Sequence, residues 1–194
     1  MLKLTLGGGV TQFSKEQLQA TVSAAEDRGT YICVHAYTST SIKRAINAGV
    51  KVIEYSQLMD EKTAKYIADR GIWIFTQVFL NDQDATPCPK GIPAYHKQIE
   101  ITTGTAKMFP LLKKYNVKTA WGTDIIFDPK LAKRHGAQIV KWQKWYTPYE
   151  ALRLVTATNG ELLRLSGSGN PYPGFIGVVR EGAYADMLPA DAIH

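Results

Sequence analysis

Several residues able to do chemistry close short apolar runs: His35 ends YICVHA, Glu54 and Tyr55 end VKVIEY, and Asp124 ends VKTAWGTD. Lys3 lies inside LKLTL and Gln77 inside IWIFTQVF. A neutral imidazole and a carboxylate both suit zinc, so His35 and Asp124 brought to one rim would begin a metal site. A divalent metal held there would lower the pKa of a bound water and polarise a carbonyl. Each residue also has a plainer account. A histidine at a strand end is commonly a hydrogen-bonded structural residue, and an aspartate after Gly-Thr is commonly a cap or turn former. Placement on separate strands is what favours chemistry. Tyr55 fits least well, because a phenol with a pKa of about 10 is a weak metal ligand.

The elements that must position these residues alternate in type. LKLTL (2–6) reads as a strand running into Gly7-Gly8-Gly9, and SKEQ (14–17) as the capped start of a helix that Gly29 ends. YICVHA (31–36) is a strand, STSIKRAINAG (39–49) a helix, VKVIEY (50–55) a strand, and MDEKTAKYIADRG (59–71) a helix capped by Asp60. IWIFTQVF (72–79) follows as a strand, then the loop NDQDATPCPKGIP, a long helix to about residue 115, and the strand VKTAWGTD (117–124). TPYEALRLVTATNGELLRL then reads as one helix, with Thr147 as cap and Pro148 in its first turn. Such alternation with short connections predicts an α/β fold of five parallel strands joined by right-handed crossovers. An open doubly wound sheet and part of a (β/α)8 barrel both satisfy it. GGGV lacks the G-x-G-x-x-G form and is set apart from its helix by TQF, so dinucleotide binding is weakly supported. Chemistry at the C-terminal ends of several strands favours the barrel.

The chain of 194 residues carries a net charge of +6, with 45% apolar and 21% charged residues, an ordinary globular composition. Its lysines are scattered without a dense basic run, which argues for a solvated surface and against nucleic acid. Cys33 and Cys88 make no disulfide framework, and a reducing cytoplasm fits them. No apolar run reaches the roughly 18 residues of a membrane span, and the Gly-broken N-terminus is no signal peptide. Trp121, Trp142 and Trp145 are expected in packing, His96 and His135 in solvent, and His194 is terminal.

ICVHAYTSTSIKRAINAGVKVIEYSQLMDEKTAKYIADRG, AWGTD and GFIGVVREGAYADMLPAD, in this order, resemble the C-terminal part of the amidohydrolase superfamily, in its imidazolonepropionase and Xaa-Pro dipeptidase-like branch. The resemblance implies part of a (β/α)8 barrel, strands four to eight, over residues 1–170, with 171–194 an incomplete segment of a small β-domain. It implies hydrolysis of an amide or related C–N bond with a divalent metal, most simply zinc. His35 would be a metal ligand, and Asp124 a ligand that also passes the attacking water's proton to the leaving nitrogen. Lys3 would bridge metals if carboxylated. Gln77, Phe79 and the NDQDATPCPKGIP loop would line the pocket for a small amide or dipeptide.

The sequence also departs from that family. The paired H-x-H histidines and the first three barrel strands are missing, and the tail stops before the β-domain is complete. IEYS stands where IEHG is usual, so Tyr55 replaces a ligand histidine. Activity in this chain alone is therefore expected to be impaired. Five parallel strands that do not close should also leave two edges and an apolar inner face open to association. The expected partners are a second copy or a separately encoded N-terminal half, and the alternative function is a non-catalytic half-barrel that binds or oligomerises.

Overall fold

The computed structural model describes residues 2–6, 12–85, 88–125 and 128–188, with the backbone alone for 2–6. Gly7-Gly8-Gly9 and His194 lie outside the described residues, and so does the Lys3 side chain. Strands and helices alternate as β1 (Leu2–Leu6), α1 (Lys15–Glu26), β2 (Ile32–Thr38), α2 (Ser39–Asn47), β3 (Val52–Leu58), α3 (Glu61–Asp69), β4 (Trp73–Thr76), α4 (Pro93–Lys114) and β5 (Thr119–Trp121). All four strand pairings are parallel, in the order β1-β2-β3-β4-β5. A doubly wound sheet reverses its strand order partway. Strictly sequential order describes an arc of a barrel instead.

The punctuation follows local chemistry. Ser14 and Gln17 form a capping box on α1, and the Asp60 carboxylate accepts from the Thr63 amide at 2.7 Å to start α3. Gly29, Gly49 and Gly71 each follow a helix at positive φ, the left-handed conformation that glycine adopts without strain. Gly104 of α4 faces the Gln57 carbonyl with no room for a Cβ, so the helix lies directly on the β3 backbone. Among the described residues no helix is long and apolar enough to cross a membrane.

The strands alternate between two cores. Ile32, Val34, Ala36, Ile53 and Ile74 face the helices, where they join Leu18, Ile42, Ile67, Met108, Phe109 and Trp142. Tyr31, Cys33, Val52, Trp73 and Ala120 form the other face, covered by Leu162 and Leu165. This second core corrects the expectation of an open apolar inner face. The chain turns back after β5 and seals the N-terminal end of its own concave side. Asn159 pins the return by accepting from the Trp121 amide at 2.8 Å and donating to the Trp121 carbonyl at 2.9 Å.

The return segment is not one helix. After α5 (Pro129–Ala132), α6 (His135–Val140) and a 3-10 turn, it divides into α7 (Pro148–Arg153), a π segment (Leu154–Thr158), α8 (Asn159–Leu163) and a 3-10 stretch to Gly169. Thr147 and Glu150 do form the capping box at its start. The π segment coincides with close packing, since a Cβ on Gly177 would lie 2.5 Å from the Thr156 carbonyl. Residues 170–188 are largely irregular, with one bridge between Phe175 and Ala183.

Candidate active site

At the C-terminal ends of the strands lies a cavity of about 670 Å3, bordered by Tyr37 near the end of β2, Gln77–Leu80 after β4, Trp121 at the end of β5 with Thr123 and Asp124 beyond it, and the first turns of α4. His35 and Tyr37 stand two residues apart on one strand and so share the inner face. By the same alternation Val52 and Glu54 face inward and Tyr55 should turn toward the helices.

Tyr55 does not do so. The β2–β3 register passes from Ala36↔Tyr55 to Thr38↔Leu58, which leaves β3 one residue longer over this stretch. Tyr55 and Ser56 take φ values of 80° and 67°, unusual for side-chain-bearing residues and most of all for a bulky one. A bulge of this kind re-aims a side chain. Here it brings the Tyr55 ring onto His35 with centroids 3.8 Å apart and beside Tyr37 at 5.1 Å. Phe79 lies parallel to it at 6.4 Å. The Thr76 hydroxyl donates to the Tyr55 carbonyl at 2.9 Å and holds the turned backbone.

The Tyr55 hydroxyl donates to Asp124 Oδ2 at 2.5 Å. Asp124 is itself at φ 55°. Two residues in sparsely populated conformations thus meet through one short hydrogen bond, and such strain concentrates at functional sites. Burial, then the hydrogen bond to Asp124 and its charge, push the Tyr55 hydroxyl far above the ordinary tyrosine range. Tyr55 is a neutral donor at any physiological pH. Burial, with the Asp124 charge second, also pushes Tyr37 up to about 12.

The structure therefore brings His35, Tyr55, Phe79 and Asp124 together, with Gln77 on the wall of the same cavity. Lys3 pairs in register with Cys33, and Thr5 is the β1 residue level with His35. A hydrolytic zinc takes three protein ligands and an open position. Among the described residues no three His, Cys, Asp or Glu side chains are grouped to hold an ion. The Asp124 carboxylate is engaged by a phenol, and the ring of that phenol lies on the His35 imidazole. The described residues do not fit a catalytic zinc.

Sequence reasoning passed over several parts of the site. Tyr37 was within reach, being two residues beyond His35 on the same face. Trp121 packs against the main core and also lines the cavity, so packing and pocket are not alternatives for it. Trp142 is fully buried against Phe109, as expected. His135 is exposed, but its Nδ1 lies 2.9 Å from the hydroxyl of Thr123, next to Asp124. A charged clasp was not legible at all: Lys141 Nζ bridges Asp82 and Asp84 at 2.9 Å each, Arg134 pairs with Asp84, and Gln138 donates to Asp84 at 3.1 Å. It fastens the loop after β4 to α6 and the turn behind it, and so fixes one wall of the cavity.

The sequence profile of the amidohydrolase family matches residues 7–192, and the chain belongs to that family. No curated protein matches it. Solved structures do, among them an amidohydrolase at 25% identity and a TM-score of 0.77, which covers 94% of this chain and 45% of its own. A prolidase complexed with N-methylphosphonate-L-proline matches at 26% identity and 0.78, over 94% of this chain and 45% of its own. A Xaa-Pro dipeptidase with methionine bound in its active site matches at 25% and 0.73, over 94% and 46%. The chain spans a little under half the length of these structures. Its sheet is accordingly a partial (β/α)8 barrel.

Proposed function

We infer that this chain forms the substrate side of a hydrolase acting on amide or related C–N bonds, with a small amide or dipeptide as substrate, and that by itself it does not complete the metal centre such a reaction uses. The observation that carries the second half is the 2.5 Å hydrogen bond from Tyr55 to Asp124, made by a ring that lies on His35. The first half is supported by the prolidase and dipeptidase neighbours and by the cavity at the strand ends. His35 and Asp124 would supply two ligands of a zinc site, and Lys3 a third if carboxylated. Asp124 would serve as proton carrier only after release from Tyr55. Two free thiols, one of them buried, agree with a reducing cytoplasm, and residues 171–194 would begin a second, β-rich unit.

Amine release from Xaa-Pro dipeptides, followed with and without added zinc, tests this reading. No turnover above background is expected from the chain alone. Turnover that Asp124→Asn abolishes would show that the metal centre is complete and that Tyr55 yields. A second reading, a half-barrel that self-associates or pairs with a separate N-terminal half, is favoured by one observation. Within the five-strand order, β1 and β5 each have a single neighbour.

A further inference from the structure

We propose that Gln77 reads an acceptor oxygen of the ligand, an acyl carbonyl or a carboxylate, through its side-chain amide. Gln77 is 6% exposed and its Nε2 is buried with no acceptor among the described residues, yet the side chain lines the cavity. A buried amide left without a partner is costly, and few persist without a cause. Its neighbours do not supply the acceptor. The Thr76 hydroxyl is committed to the Tyr55 carbonyl, and Gln57 Nε2 approaches that same hydroxyl at 3.5 Å. Apolar side chains take up the space beyond, among them Phe79, Ile101, Trp121 and Leu131. A cavity wall that sets an unanswered buried amide beside apolar side chains suits a molecule carrying a C=O beside a hydrophobic group. A site built to hydrogen-bond such an oxygen discriminates strongly against analogues that lack it.

This rests on the reading that the cavity takes a small amide, and the test separates the two. Calorimetric titration would use three probes: leucyl-proline, leucyl-pyrrolidide, which lacks the carboxylate, and the thioxo analogue of leucyl-proline, whose sulfur is a poor acceptor. Gln77→Met, close in shape and without a donor, should weaken leucyl-proline about tenfold or more. The same substitution should leave unaffected whichever probe lacks the acceptor, and that probe identifies the oxygen. Because it removes an unanswered donor, the unliganded variant should keep or raise its Tm. Wild-type protein that binds none of the three probes overturns both the substrate reading and this inference. Binding indifferent to Gln77→Met, an equal loss on all three probes, or a lowered Tm in the unliganded variant overturns the inference alone.

Discussion

A phenol at the position where the family resemblance implies a ligand histidine could be inert filling, but Tyr55 is far from inert. Its backbone is held in a left-handed conformation, its ring covers His35, and its hydroxyl occupies an oxygen of Asp124. Hydrogen bonds to a charged acceptor are worth about 1.5–3 kcal/mol when well enclosed. Asp124 is exposed and water can replace the phenol, so Tyr55→Phe should lower stability by only about 1 kcal/mol in urea unfolding. The buried phenols also make a pH prediction. Burial pushes Tyr31 and Tyr37 up to about 12 from the ordinary 10.0. Above pH 10 the unfolded chain loses these protons while the folded chain keeps them, so stability is fully present below 10 and falls as pH rises toward 12. A Tm that stays level across that interval would contradict the burial of these hydroxyls.

At the scale of elements, the cavity depends on how closely helix and loop approach the strand ends. A Cβ on Gly122 would come within 2.5 Å of the Phe75 ring, so Gly122→Ala should cost about 1–3 kcal/mol and displace the start of the loop that carries Asp124. Lys141→Met should leave Asp82 and Asp84 without their shared cation, lower the Tm, and loosen the cavity wall. Trypsin cleavage in the loop after β4 would report that loosening. The strands, α1 to α4 and their caps were legible because each is written locally, in alternation, in Ser14 and Asp60, and in glycines after helices. His35 and Asp124 were legible because each adjoins a strand's apolar run, although the structure puts His35 inside β2 and Asp124 in the loop beyond Trp121. The turn of Tyr55 into the site was not, because it comes from a bulge that strand alternation conceals. The broken helix after Thr147 was also hidden, and its π segment packs closely against Gly177, far along the chain. The Lys141 clasp joins residues 50 to 59 positions apart and leaves no local trace.

At the scale of the molecule, the chain is an arc of an amidohydrolase barrel that closes part of its own concave face with Leu162 and Leu165. That cover buries part of the apolar inner face and leaves the two sheet edges. Association through edges alone should be weak. Light scattering at micromolar concentration should show monomer shifting to dimer as concentration rises, and a tight dimer at all concentrations would point to an interface other than the edges.

The central claim is that Tyr55 keeps His35 and Asp124 from acting together as metal ligands. Its most direct test is zinc stoichiometry after saturation with zinc and exhaustive desalting, compared between the wild-type chain and Tyr55→His. The account predicts well under one equivalent in the wild type and a clear gain in Tyr55→His that His35→Ala reverses. About one equivalent retained by the wild type and lost on His35→Ala would contradict it.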